Sequence, residues 1–114
     1  MGLRQERLAD QIRDIVAFCF LGDTLQDPRL GGVTITHVRV SADLQFATVY
    51  FRLFDKKDLE GANVALENCR GFFRRKIAEA IAMRRVPNLR FLYDESVERG
   101  AHIEDLIHQI RKND

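Results

Sequence analysis

Basic side chains that could bind a phosphate group concentrate in one stretch of this sequence, from Arg70 to Arg90. The stretch holds seven basic residues and a single acid, Glu79, so that it carries +6 while the whole chain carries only +1. Everything outside it therefore sums to −5. We interpret the stretch as a concentrated basic patch, which the nearly neutral composition conceals.

The position of three of these arginines favours an anion-binding function over a solvated helix face. The apolar spacing predicts a helix that begins near Asn68 and ends at Pro87. The helix dipole accounts for cations at its C-terminal end, but Arg70, Arg74 and Arg75 lie at the positive N-terminal end. Cations there are unfavourable unless an anion uses both them and the free amides of the first turn.

A bend is predicted where this helix begins, because Gly71 lowers helix propensity and Asn68 favours a break. We expect Gly71 to adopt a positive φ or to contact a neighbouring helix closely. We also expect Arg74 and Arg75 to be exposed, so that replacing both with alanine leaves folding almost intact.

The sequence contains no recognisable catalytic or metal-binding pattern. His37, His102 and His108 are scattered, and the last two are six residues apart, which places them on different helical faces. No serine or cysteine lies beside a histidine in a nucleophile elbow, and no phosphate-binding loop or dinucleotide fingerprint occurs. Acidic residues between positions 94 and 105 are interpreted as a solvated edge. We expect a protein that is not an enzyme and that needs no cofactor or metal.

Length and composition indicate one domain over residues 1–114, with a core from about 4 to 110. Hydrophobic residues make up 46% of the chain and charged residues 31%, values that exclude a disordered chain. No apolar run approaches the ~20 residues that cross a bilayer, and no signal peptide is visible. Cys19 and Cys69 are far apart with no CxxC pattern, which favours a reducing compartment. We expect a cytoplasmic monomer that does not associate with membranes.

Hydrophobic periodicity predicts four helices and three strands. The helices are expected at residues 4–21, 58–68, 68–87 and from 100 onward, and the strands at 33–41, 45–54 and 89–94. The short link at 41–44 makes the first two strands an antiparallel hairpin, and broken alternation near 36–37 predicts a β-bulge. A strand, a two-helix crossover and a further strand imply parallel pairing. The predicted fold is α+β in two layers, with a mixed three-stranded sheet and helices on one face.

The same periodicity assigns a buried face to the elements around the patch. The second strand is expected to direct Ala47, Val49, Phe51 and Leu53 to the core and Phe46, Thr48, Tyr50 and Arg52 to the opposite face. The helix at 58–68 is expected to bury Leu59, Ala62, Val64, Ala65 and Leu66. The patch helix is expected to bury Phe73, Ile77, Ala80, Ile81 and, less regularly, Met83.

Five segments, taken together, carry a further signal. They read Arg4-x-x-Arg7-Leu8-Ala9-x-x-Ile12, Asp27-Pro28-Arg29-Leu30-Gly31, Ser41-x-Asp43-Leu44-x-x-Ala47-x-Val49-Tyr50, Met83-Arg84-x-x-Pro87-x-Leu89-x-Phe91-x-x-Asp94-x-Ser96 and Gly100-x-x-Ile103-x-x-Leu106. Each motif alone is weak, but the five occur in the order and spacing of the ribosome-binding factor A family. The chain resembles that family over about residues 4–107.

The resemblance implies a two-layer, type II KH-like domain in the order α-β-β-α-kink-α-β plus a C-terminal helix. The family binds the small ribosomal subunit during its late maturation. In ordinary KH domains a GxxG loop between two helices lets the backbone approach single-stranded RNA. The family resembled here has instead a small residue, any residue and then glycine. This chain has Cys69-Arg70-Gly71, with cysteine where alanine is usual.

The patch and the resemblance together predict a ribosome-assembly factor that binds the small ribosomal subunit and its rRNA, with a role in rRNA processing. The predicted RNA-binding residues lie at the bend, in the helix after it and at the end of that helix: Asn68, Cys69, Arg70, Gly71, Arg74, Arg75, Lys76, Arg84 and Arg85. The alternative is a protein-interaction or regulatory module of small α+β fold, whose basic patch binds an acidic partner.

Overall fold

The computed structural model of the chain describes residues 2–22, 25–55 and 58–96, which form three α-helices and three strands. In chain order they are α1 (Leu3–Phe18), β1 (Val33–Val40), β2 (Phe46–Leu53), α2 (Leu59–Asn68), α3 (Arg70–Ala80) and β3 (Asn88–Tyr93), with a short 3-10 helix at Pro28–Leu30. The predicted α+β order is confirmed from the first helix to the third strand. The helix predicted from residue 100 onward lies outside the described residues.

The sheet has the strand order β1-β2-β3 and is mixed, as the sequence predicts. β1 pairs antiparallel with β2, placing Val40 opposite Ala47, and β2 pairs parallel with β3, placing Ala47 opposite Leu89. The register shifts between Ile35 and His37, which confirms the predicted bulge. The parallel pair requires a crossover between β2 and β3, and α2 and α3 form that crossover.

The helices cover one face of the sheet, where the apolar core lies. Fully buried side chains come from all three helices: Ile12, Val16, Ala62, Ala65, Leu66, Phe73 and Ile77. They pack against buried strand residues: Val38, Val40, Ala47, Val49, Phe51, Leu89 and Phe91. The Phe73 ring centroid lies 5.8 Å from the ring centroids of both Phe20 and Phe91. Removal of this apolar surface from water is the main force that holds the two layers together.

The helix that carries the basic patch is shorter than predicted. α3 ends at Ala80, and Ile81 already has extended backbone, with φ −120° and ψ 123°. The Asn88 N–H donates to the Gln45 carbonyl oxygen at 2.8 Å, so residues 81–87, the connecting loop, must reach from α3 to the sheet.

Two features of the helices differ from the predictions. Arg84 and Arg85 are exposed in the connecting loop and do not lie at the end of a helix, because α3 has already ended. The sequence predicts that Ala80 and Val64 are buried, but Ala80 is exposed at the end of α3 and Val64 is 46% exposed on α2.

None of the helices among the described residues has both the length and the apolar composition that a membrane span requires. In that same part of the chain, no group of three histidine, cysteine or acidic side chains converges to hold a metal ion.

Candidate nucleic-acid interface

A kink joins α2 to α3 through a single residue, Cys69. Its φ of −93° and ψ of 1° end one helix and start the next, and its N–H donates to the carbonyls of Ala65 and Leu66, both at 3.1 Å. Its own carbonyl accepts a hydrogen bond from the Phe73 N–H at 3.1 Å. No side chain caps the start of α3. The kink therefore presents the uncapped, positive end of the α3 dipole.

Gly71 lies in the first turn of α3 and corrects the expectation of a positive φ or a close helix contact. No described glycine has a positive φ, and a Cβ built on Gly71 would meet nothing within 4 Å. The bend needs no glycine, because Cys69 makes it with a negative φ that L-residues can adopt. What Gly71 provides is an exposed backbone surface without a side chain.

Arg29 is a cation beside α2 that local sequence patterns assign only to a turn. Asp27 caps the 3-10 helix and accepts from Arg29 Nη2 at 2.7 Å and Nε at 3.0 Å. Burial and the Asp27 charge raise the pKa of the Cys69 thiol, and the positive charge of Arg29 opposes that shift. A Cβ at Gly61 would lie 3.3 Å from Arg29 Cδ, so this glycine leaves room for the arginine stem against α2.

Two cations of the patch form ion pairs on the helix surface. Arg70 contacts the Glu67 carboxylate at 2.8 Å, and Lys76 lies 3.7 Å from the Glu79 carboxylate. The Lys76 ammonium also lies 5.6 Å from the centroid of the Phe72 ring. Exposed pairs of this kind contribute little to stability. Both cations can therefore leave their partners for a more strongly binding anion.

Arg74 is a structural residue, which corrects the expectation that it is an exposed cation. Its Nη2 donates to the Val86 carbonyl oxygen at 3.1 Å, and the side chain is half-buried. Its Nε is buried without a hydrogen-bond partner among the described residues. The guanidinium thus ties α3 to the connecting loop, and truncating it would leave that carbonyl without its donor.

Three cations of the predicted site have no partner in the part of the chain that the structure describes. Arg75 is exposed on α3, and Arg84 and Arg85 are exposed in the connecting loop. The 11 residues of α3 span about 16 Å between the kink and that loop. The structure therefore divides the predicted site into two parts. The kink part contains exposed Asn68 and the Cys69–Gly71 turn, and the loop part contains Arg84 and Arg85.

The loop part of the site borders α1. An open groove of about 360 Å³ separates the start of α1 from Ile81–Met83, the first residues of the connecting loop. Arg4 and Arg7 line this groove and are exposed. Since the loop continues to Arg84 and Arg85, the basic surface extends beyond the stretch that the sequence singles out.

The arrangement α-β-β-α-kink-α-β is a KH-like fold, and solved structures of similar chains share it. The crystal structure of ribosome-binding factor A from Thermus thermophilus gives a TM-score of 0.69 at 32% identity, covering 82% of this chain and 97% of that chain. A homology model of the Thermus thermophilus factor, fitted into a cryo-EM map of a 30S–RbfA complex, gives a TM-score of 0.64 at 32% identity. It covers 76% of this chain and 91% of that chain.

Sequence comparison identifies the family. Residues 4–107 match the family described as Ribosome-binding factor A. Ribosome-binding factor A of Chromobacterium violaceum is 39% identical over 112 residues, covering 97% of this chain and 80% of that protein. The Chromohalobacter salexigens protein is 40% identical over 114 residues, covering 97% and 86%. The chain belongs to the ribosome-binding factor A family, which confirms the resemblance carried by its motifs.

Proposed function

We propose that this chain is a non-catalytic, cytoplasmic ribosome-assembly factor that binds the rRNA of the small ribosomal subunit during late maturation and rRNA processing. Family membership supports the proposal, as does the fitting of a Thermus thermophilus relative into the map of a 30S–RbfA complex. The observation that carries it is the kink. There the bare backbone of Gly71 lies on an uncapped helix start that has arginines on both sides.

The kink suits the sugar–phosphate backbone of RNA for physical reasons. The positive end of the α3 dipole attracts a phosphate, and the missing Cβ of Gly71 lets a ligand backbone approach closely. Arg75 supplies an unpaired charge on the same helix. Arg70 can exchange its surface carboxylate for a phosphate and keep a charge-assisted hydrogen bond.

The loop part of the site extends the contact along the nucleic acid. Arg84 and Arg85 lie at the other end of α3 from the kink, and Arg4 and Arg7 line the groove beside the loop. Several arginines that each neutralise a phosphate produce a steep salt dependence of binding. These contacts position the protein on RNA without reading its sequence.

The exposed backbone at Gly71 provides a way to distinguish RNA binding from the binding of an acidic protein partner. Side-chain carboxylates of a partner reach arginines without approaching the backbone of α3, so an added methyl group at Gly71 would leave such binding unchanged. A sugar–phosphate chain that lies on the first turn of α3 would collide with the same methyl group. Gly71→Ala therefore tests the proposal while every charge stays in place.

We expect Gly71→Ala to fold normally and to bind rRNA about tenfold more weakly, which corresponds to about 1.4 kcal/mol. Binding is measured by co-sedimentation with separated ribosomal subunits and by fluorescence anisotropy on small-subunit rRNA. The matched control is Gly22→Ala, because a Cβ at Gly22 also meets nothing within 4 Å. The parent should sediment with free small subunits far more than with complete ribosomes.

Two results would contradict the proposal at different levels. A folded Gly71→Ala variant that binds as tightly as the parent would remove the kink from the RNA contact. Failure of the parent to sediment with free small subunits would refute the assembly-factor function itself.

A further inference from the structure

The strand residues on the face of the sheet opposite the helices include basic and aromatic side chains and no acid. β1, β2 and β3 contain no aspartate or glutamate but three arginines, Arg39, Arg52 and Arg90. The helices among the described residues cover only the other face, since the buried positions of each strand alternate with the outward ones. This open sheet face is therefore a second positive surface, on the other side of the sheet from the kink.

Arg39, Thr48 and Arg90 form one row across the three strands of this face. Arg39 pairs with Thr48, and Thr48 pairs with Arg90. Neighbouring strands lie about 4.8 Å apart, so the two arginine Cα atoms are separated by about 10 Å. Both side chains are exposed, and neither forms an ion pair with any residue that the structure describes. An anion between them would interact favourably with both.

The described acidic groups near the row form no ion pair with its arginines. Glu6 and Asp10 of α1 share a small groove of about 120 Å³ with Arg39 at the β1 edge, and Asp10 lies 4.0 Å from Arg13 on its own helix. Asp94 and Glu95, which follow β3, line a second groove with Arg39, of about 380 Å³. Asp94 accepts the Thr36 hydroxyl at 2.6 Å.

Aromatic rings accompany the arginines on the open sheet face. The Arg90 guanidinium carbon lies 4.5 Å from the centroid of the half-buried Phe46 ring. The Tyr50 ring is partly buried and lies 5.9 Å from the ring of His37. An open groove of about 530 Å³ has Arg39, Phe46 and Arg90 among its lining residues. Nucleic-acid bases stack on aromatic rings and on guanidinium planes.

We propose that the open sheet face is a second binding surface, specific for single-stranded RNA. A phosphate binds between Arg39 and Arg90, and a base stacks on the Arg90–Phe46 pair. The strand must be single because a duplex keeps the faces of its bases stacked on one another. Phe46 and Tyr50 favour RNA over an acidic peptide, since aromatic rings have negative faces that offer a carboxylate no attraction.

This inference rests on the proposed function only in that its ligand is RNA. The kink and the open sheet face lie on different sides of one sheet, so the chain can contact two RNA segments at once. The two contacts are separable, because no residue is shared between them.

Charge removal tests the phosphate contact. We expect the Arg39→Gln/Arg90→Gln variant to reduce the log–log salt slope for a short oligouridylate by about 0.7, because the one phosphate between the two arginines is no longer neutralised. A slope change of that size makes the ratio of the affinities at 0.1 M and 1 M salt roughly fivefold smaller. Each single variant should lose about half of the slope change. Arg13→Gln is the matched control, since it removes one charge from an arginine that already contacts Asp10 and Asp14.

Ring removal tests the stacking contact by a different measurement. We expect Phe46→Leu to weaken oligouridylate binding about tenfold while leaving the salt slope unchanged, because stacking does not release counterions. This result separates a base-stacking platform from a merely positive surface. It also keeps the proposal testable if the double arginine variant fails to fold, as judged by its circular dichroism spectrum.

The outcomes distinguish this inference from the proposed function. Unchanged oligouridylate binding by folded Arg39/Arg90 and Phe46 variants, with small-subunit binding lost in Gly71→Ala, would overturn the inference and leave the function standing. Oligouridylate binding would also be unchanged in these variants if another part of the chain or a protein partner covered the face, and the inference would be overturned in that case too. A different result would indicate that the face binds acidic protein and would overturn the inference. In that result polyglutamate competes for binding as well as oligouridylate does, and Phe46→Leu leaves the affinity for oligouridylate unchanged.

Discussion

The two basic surfaces of the chain differ in how their cations are used. On the kink side, four are engaged by the protein itself: Arg29 with Asp27, Arg70 with Glu67, Arg74 with the Val86 carbonyl and Lys76 with Glu79. On the open sheet face, Arg39 and Arg90 have no acidic partner among the described residues. The arginine-rich stretch therefore overstates the charge available to a ligand on the kink side, whereas the strands, with three arginines and no acid, carry charge that is available.

The engagement on the kink side is of two kinds. The pair between Arg70 and Glu67 is exposed and can open without disturbing the fold. The bond from Arg74 to Val86 is partly buried and connects α3 to the loop that leads to β3. Arg74 is thus part of the scaffold that positions the exposed arginines, whereas Arg75, the next residue, is free to bind.

The largest stability effect is expected for Arg74→Ala. The substitution removes a hydrogen bond to a carbonyl and the packing of a half-buried stem, and we expect it to cost about 1–3 kcal/mol in the free energy of unfolding. Urea denaturation measures the change. Arg75→Ala is the matched control, and its exposed side chain should change stability by less than about 0.5 kcal/mol. Equal stabilities of the two variants would show that Arg74 does not hold the connecting loop.

A smaller loss of stability is expected at low pH, when Asp94 at the edge of the sheet becomes protonated. Hydrogen bonds from the Ser96 and Thr36 hydroxyls and the Ser96 N–H, together with the charge of Arg52, lower the Asp94 pKa to about 2. Because the folded pKa is depressed, Asp94 stabilises the protein above its unfolded pKa. This contribution disappears as pH falls from about 4 to 2. Solvent screening limits it to about 1 kcal/mol.

Asp94→Asn tests this linkage without changing the size of the side chain. Unfolding free energies measured by urea at several pH values between 2 and 6 should show a shallower acid limb in the variant than in the parent. If the unfolding free energies of variant and parent fall equally steeply as pH decreases, other carboxylates cause the loss of stability in acid. The experiment also sharpens the contrast between surfaces, since Asp94 contributes locally to the sheet edge and leaves Arg39 unpaired.

A gain of stability is expected for Gly71→Ala. The glycine has helical backbone and open space around its Cα, so alanine should stabilise α3 by about 0.5–1 kcal/mol. Gly61→Ala is the comparison, because its Cβ would press on the Arg29 stem at 3.3 Å and offset the same gain. Thermal melts of the two variants decide the matter. Destabilisation by Gly71→Ala would indicate strained backbone after the kink.

The smallest effect is expected for Arg70→Gln. The ion pair with Glu67 is exposed on both sides, so its removal should change the unfolding free energy by at most about 0.5 kcal/mol, and less in high salt. Denaturation at low and high salt measures it. A large, salt-independent loss would mean that Arg70 is structural, as Arg74 is, and would weaken the distinction drawn between engaged and available cations.

Much of the fold follows from local pattern because each signal is contained in a few neighbouring residues. The alternation of β2 predicts its core face, with Ala47, Val49 and Phe51 all buried. The broken alternation in β1 predicts the bulge, and the two-helix crossover predicts the parallel pair. Five motifs in register predict the family. The position of the kink between α2 and α3 follows from the Asn68–Gly71 segment.

The candidate site was predicted less completely, because charge availability depends on distant neighbours. The apolar period continues past Ala80, yet α3 ends there since the chain must return to Gln45 on the sheet. Arg29 lies beside α2 only because the 3-10 helix packs against that helix. No local pattern distinguishes Arg74 from Arg75.

The sequence by itself thus determined the order of elements, the inward faces of the strands and the presence of a basic helix. The tertiary structure alone decided which arginines form bonds within the protein and which remain available to a ligand. The reason is physical: periodicity and propensity act over one or two turns, whereas the partner of a side chain is set by residues brought together from far along the chain. Arg39 and Arg90 are 51 positions apart in the sequence and come to lie in one row, on either side of Thr48, only in the folded sheet.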